Sequence, residues 1–78
     1  MNLQIITPDT TVFEGEVTLV QLPGIDGSFE ILNNHAPLIS ILKAGKVKVQ
    51  HPDKTLAYFD IRGGVVEVLK NKVLILAE

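Results

Sequence analysis

Glycine and proline interrupt this chain so often that a long helix has nowhere to form. Six Gly and four Pro are spread over 78 residues, and the longest stretch free of both runs from Val65 to Glu78. Either residue weakens a helix interior, Gly through backbone entropy and Pro through its missing N–H and ring clash. Even the uninterrupted stretch lacks a helical pattern. Val66-Glu67-Val68 alternates, Lys70-Asn71-Lys72 breaks the run, and Val73-Leu74-Ile75-Leu76 resumes it. That order reads as strand, polar turn, strand. Composition agrees: Ile, Val and Thr make up 22 of the 78 residues, against four Ala. Such β-branched side chains lose rotamer freedom in a helix but fit a pleated sheet.

The same reading extends to the rest of the chain. Leu3 to Ile6 and Thr11 to Phe13 are strands around a Pro8-Asp9 turn, and Glu16 to Leu22 follows as a longer strand. Within it Val17 and Leu19 share one face while Val20 and Leu22 share the other, so either a bulge interrupts it or both faces are buried. Pro23 to Gly27 is a turn, Ser28 to Leu32 a strand, and Leu38 to Leu42 another before an Ala44-Gly45 turn. Lys46-Val47-Lys48-Val49-Gln50 has one wet and one dry face, and its lysines suit a blunted sheet edge. His51 to Lys54 joins it as a polar hairpin loop to Leu56–Ile61, with Phe59 and Ile61 on one side. The expectation is a single all-β domain over residues 1–78, a β-sandwich of about eight to ten short strands.

With no Cys and only His35 and His51 as imidazoles, neither a disulfide framework nor a structural metal site is expected. Ser28 and Ser40 lack a nucleophile elbow, and His35 and His51 have no acidic neighbour at an obvious orienting distance. No catalytic residues and no cofactor are therefore expected. Gly63-Gly64 has neither the Lys nor the spacing of a phosphate loop. It reads as a structural turn at the start of a strand, where positive φ or close backbone packing is needed. Seven basic residues against nine acidic give a net charge of −2, which argues against nucleic acid as a partner. No apolar run reaches the ~20 residues that span a bilayer, and Met1 to Gln4 shows no secretory leader, so a soluble, cytosolic chain is expected.

Two segments stand above this background. Gly27-Ser28-Phe29-Glu30-Ile31-Leu32 runs into Asn33-Asn34-His35-Ala36-Pro37-Leu38, a turn whose Asn residues tolerate left-handed backbone and whose Pro fixes the exit. The second runs from Arg62-Gly63-Gly64-Val65-Val66-Glu67-Val68 to the closing strand Val73 to Ala77. That strand is apolar on both faces, and in so small a protein its second cover can be a partner subunit.

In this order and spacing the two segments resemble the N-terminal domain of the ε subunit of F-type ATP synthases, with its G-x-[FL]-[GE]-[IV]-L-x-[NG]-H-A-P-L and G-G-x-x-E-V stretches. Leu3 to Pro8 and Phe13 to Val17 also look like that family's first two strands, so the resemblance covers nearly the whole chain. It implies a ten-stranded sandwich at the foot of a rotor, with no chemistry of its own, helping to couple proton flow to a catalytic head. The implied partners are the γ subunit and the c-ring, and indirectly the α and β subunits. The implied place is peripheral, on the cytoplasmic face of a bacterial inner membrane. Carried over by motif, Ser28, Phe29, Glu30, His35, Ala36 and Pro37 are the candidate contacts. The chain departs from the family at Glu30, often Gly, and at Ser28, often acidic. Its stop at Glu78 leads to the further expectation that it couples without the family's inhibitory helical hairpin.

Two rival readings come from other classes. A lipoyl-type carrier domain is also a small acidic sandwich, and Asp53-Lys54-Thr55 at a hairpin tip imitates its modified lysine, here Lys54. A peptide-binding module would need a long, unprotected edge strand.

Overall fold

The computed structural model describes residues 1–78 and contains seven strands and no helix. They are β1 (Asn2–Ile6), β2 (Thr11–Glu16), β3 (Leu19–Gly24), β4 (Gly27–Leu32), β5 (Leu38–Gln50), β6 (Leu56–Leu69) and β7 (Lys72–Ala77). They form one continuous sheet in the order β2-β1-β7-β6-β5-β3-β4. The two long strands turn that sheet into a sandwich. The first half of β5 pairs with the second half of β6, from Leu38↔Val68 to Lys43↔Gly63. The remaining halves pair from Gly45↔Ile61 to Gln50↔Leu56. One layer continues from late β6 to β7, β1 and β2; the other continues from late β5 to β3 and β4. Side chains of both layers meet in a single core that includes Leu3, Ile5, Val20, Leu22, Ile31, Val47, Val49, Val66 and Ile75. Phe13 of β2 reaches across to Phe59 of β6, centroids 5.4 Å apart, and closes the open side.

The strand count is lower than the sequence suggests because locally plausible breaks are bridged. Ala44-Gly45 is not a turn: β5 runs through it in unbroken register with β6. Gly63-Gly64 likewise lies inside β6 and not at a strand start. Both residues have positive φ, 140° and 148°, and β6 changes there which residues face the core, from Phe59 and Ile61 to Val66 and Val68.

Two further expectations are corrected. Glu16 to Leu22 is two strands in different layers. The Val17 N–H donates to the Met1 carbonyl at 2.9 Å, and the Thr18 N–H to the Gln50 carbonyl at 2.8 Å. Adjacent residues thus serve opposite layers, which accounts for the slipped alternation. Nor is Lys46–Lys48 an edge: Lys48 sits between Gln21 of β3 and Tyr58 of β6. The free edges are β2 and β4.

Candidate partner interface

The structure places the six candidate contacts at two ends of one strand. Ser28 and Glu30 are exposed on β4, beside the Ile25-Asp26 turn. Phe29, between them, is half-buried and packs on the core, its ring close over Gly24. It braces the strand from beneath. His35, Ala36 and Pro37 lie beyond the other end of β4, all exposed. Leu32 lies four residue steps beyond Ser28, about 13 Å at the usual rise. The two groups are therefore separate surfaces.

The loop from Asn33 to Pro37 is held by named bonds. Asn34 adopts left-handed backbone at φ 62°, a conformation that Asn tolerates better than most residues. Its N–H donates to Asn71 Oδ1 at 2.7 Å, and the His35 N–H donates to the Leu32 carbonyl at 3.2 Å. The His35 ring Nδ1 lies 2.8 Å from the Ala36 carbonyl oxygen. Asn33 Oδ1 accepts from the Met1 nitrogen at 2.5 Å. The Lys70-Asn71 turn that meets this loop has φ 50° and 63°, the two positive values of a tight hairpin turn that matches strand twist.

A third surface includes the outer face of the closing strand, whose doubly apolar sequence suggests a partner as its second cover. On the outer side of the layer containing β1 and β7, cross-strand partners line up as Ile41, Val65, Leu76 and Ile6. Adjacent strands lie ~4.8 Å apart, so this apolar row is about 14 Å long. Ile41, Val65 and Leu76 are exposed, as are Ile39 and Leu69 alongside. Exposed Ile25 extends the row, its N–H bonded to the Ile41 carbonyl at 3.2 Å. Val73 and Ile75 face the core while Leu76 faces out. The two-sided apolar character of this strand is thus real, and no element of the chain covers its outer side. The opposite outer face is mixed, with the exposed Lys46 Nζ–Asp60 Oδ1 pair at 3.0 Å beside Tyr58.

No buried polar or charged side chain is present, and no group of three His, Cys, Asp or Glu converges for a metal. Asp53 lies in the loop between β5 and β6. Hydrogen bonds from the Thr55 hydroxyl and backbone N–H, 2.6 and 3.0 Å, hold its carboxyl below the ordinary Asp value, with a smaller contribution from the nearby His51. These bonds shape the β5–β6 loop, at whose tip Lys54 is exposed with φ 72°.

Comparison with known proteins fits this geometry. Residues 1–78 match the family described as ATP synthase, Delta/Epsilon chain, beta-sandwich domain. The ATP synthase epsilon chain of Chlorobium limicola is 49% identical over 77 residues, covering 99% of this chain and 88% of the relative. That of Caulobacter vibrioides is 41% identical over 78 residues, covering 100% and 90%. The chain spans only 60% of the Sulfurimonas denitrificans relative, at 40% identity over its own full length. In solved structures, a chain of the Euglena gracilis mitochondrial ATP synthase OSCP/F1/c-ring assembly superposes with TM-score 0.90 at 21% identity, covering 96% of this chain and 48% of that one. A chain of the Tetrahymena thermophila mitochondrial ATP synthase central stalk/c-ring gives 0.79 at 20% identity, covering 97% and 61%. These likenesses establish the fold.

Proposed function

The chain belongs to the ATP synthase delta/epsilon β-sandwich family, and from that premise we propose that it is a central-stalk subunit of a proton-translocating ATP synthase. In this reading it binds γ and the c-ring and helps couple ion flow to the catalytic head, with no catalysis of its own. The observation that carries the reading is the family match across every residue of the chain. The surfaces support it. A rotor element must transmit force without deforming, and a single close-packed core joining both layers supplies a stiff body. It must also be gripped at more than one place. The apolar row through Ile41, Val65 and Leu76 offers buried area to one partner, while exposed Ser28 and Glu30 and the exposed His35–Pro37 loop offer two further patches along β4 and beyond its end.

As part of such an assembly the chain is peripheral, on the side of the membrane that carries the catalytic head, the cytoplasmic face in a bacterium. The family match leaves the carrier reading of Lys54 with no observation in its favour. Restoring the chain to membranes stripped of it, and following ATP-driven proton uptake with a quenched acridine dye, tests the proposal. Recovery of pumping together with retention of γ is expected. Heads that rebind and pump equally well without the chain would refute the coupling role.

A further inference from the structure

We infer that Asn71 is a positioning residue for docking: its side-chain carbonyl fixes the Asn33–Pro37 loop in the shape that meets the partner. The inference rests on the reading above, in which His35, Ala36 and Pro37 are contacts.

The geometry points to Asn71 from both its backbone and its side chain. Its backbone carbonyl accepts the Asn2 N–H at 3.2 Å, which ties the β6–β7 turn to the start of β1. Its backbone is left-handed at φ 63°, and its side chain reaches the neighbouring loop, where Oδ1 accepts the Asn34 N–H at 2.7 Å. Asn71 is half-buried beneath that loop, whereas Asn34, His35, Ala36 and Pro37 are all exposed. The loop follows β4, an edge strand, and precedes β5, so no sheet ladder holds residues 33–37. One cross-link comes from the Met1 nitrogen to Asn33; the other is Asn71. Without the latter, the Asn34 N–H loses its only protein partner and the loop gains conformations that docking must then freeze out. Ordering a segment on binding subtracts from affinity, and holding it ready beforehand restores that loss.

Two substitutions separate this role from simple stability. Asn71→Gly keeps a residue at home in left-handed backbone but removes the acceptor. Asn71→Asp keeps both the backbone preference and an acceptor oxygen. With the full chain, amide exchange at Asn34 is followed by NMR, thermal unfolding by circular dichroism, and affinity for the α3β3γ head of the same organism by titration. Asn71→Gly should speed Asn34 exchange and weaken head binding roughly three- to tenfold, the size of one ordinary hydrogen bond. Unfolding should change little, and Asn71→Asp should restore both readouts. Binding by Asn71→Gly within twofold of wild type overturns the inference, and so does failure of Asn71→Asp to rescue. Failure of the wild-type chain itself to bind the head is a different result, because it removes the central-stalk reading and the positioning role with it.

Discussion

Replacing Gly64 with Ala should be among the most damaging single-methyl additions available to this fold. A Cβ at Gly64 runs into the Leu76 carbonyl oxygen and stands 3.1 Å from Ala77 Cα. Both obstacles are backbone of β7, paired with β6 at Gly64↔Ala77, so no flexible side chain can give way. The φ of 148° adds strain of its own. A residue other than Gly in that region costs about 1–3 kcal/mol, and overpacking adds about 1–3 kcal/mol. A combined loss of about 2–6 kcal/mol is a large part of the ~4–12 kcal/mol expected for a domain this size. At about 4–8 °C per kcal/mol, the midpoint should fall by about 8–48 °C. Gly27→Ala is the control, because φ is 132° there but nothing lies within 4 Å of the added carbon. It carries the conformational cost alone, about 1–3 kcal/mol. Urea denaturation of both variants, followed by far-ultraviolet circular dichroism, isolates the steric part as the difference. If Gly64→Ala proves no less stable than Gly27→Ala, the close approach of β7 at the corner of β6 is wrong.

Leu22 is fully buried in β3, and Leu22→Ala should cost about 2–5 kcal/mol through lost burial and the cavity left behind. The same urea titration checks it, and a loss under ~1 kcal/mol would mean that the two layers do not meet over β3. Thr55→Ala removes the hydroxyl that does most to hold the Asp53 carboxyl down, so its titration midpoint should rise toward the ordinary Asp value of 3.8. Because the folded-state value is depressed, the loop contribution of Asp53 is present above the ordinary value and is lost as pH falls through the lowered one. Carboxyl carbon NMR through the acid range reads the midpoint directly, and an unchanged midpoint would show that the Thr55 bond does not form in solution.

What was legible in the sequence was local. Alternation at Val47 and Val49, and at Val66 and Val68, identified core-facing residues, and both pairs are buried. The turns read at Pro23 to Gly27 and Lys70 to Lys72 contain the points where the strands reverse, although β3 runs on to Gly24, β4 starts at Gly27 and β7 starts at Lys72. Strand merging was not legible. Ala44-Gly45 carries a turn signal, yet the ladder across β5 and β6 spans it, and that pairing is decided by residues up to 30 positions away, such as Leu38 and Val68. The edges were misread for a related reason. Lys46 and Lys48 look protective, but which strand ends a sheet depends on the whole strand order. At the candidate interface the motif stretch supplied Ser28 to Pro37, and the doubly apolar closing strand pointed to an outer cover, but its row partners Ile41, Val65 and Ile6 were not legible. Ile41 and Leu76 alternate as cleanly as Val73 and Ile75, and periodicity separates two faces without saying which one is dry.

That ambiguity has a physical consequence. A strand with Val73 and Ile75 inside and Leu76 outside can satisfy only one face by folding. Its other face leaves about 14 Å of apolar row in water, beside exposed Ile39 and Leu69. Removing that row from water contributes only when another surface covers it, at ~25 cal/mol per Å² of apolar area. The contribution therefore appears in the complex and is absent from the free chain. A partner held at 100 times its dissociation constant adds about 2.7 kcal/mol of apparent stability, a sizeable share of the ~4–12 kcal/mol expected for the domain alone. In the proposed stalk the outer row ties the domain's persistence to its place in the assembly. The loop clamp at Asn71 works in the other direction, because it orders the docking surface before any partner arrives. One feature makes the chain more stable when bound, and the other lowers the cost of becoming bound.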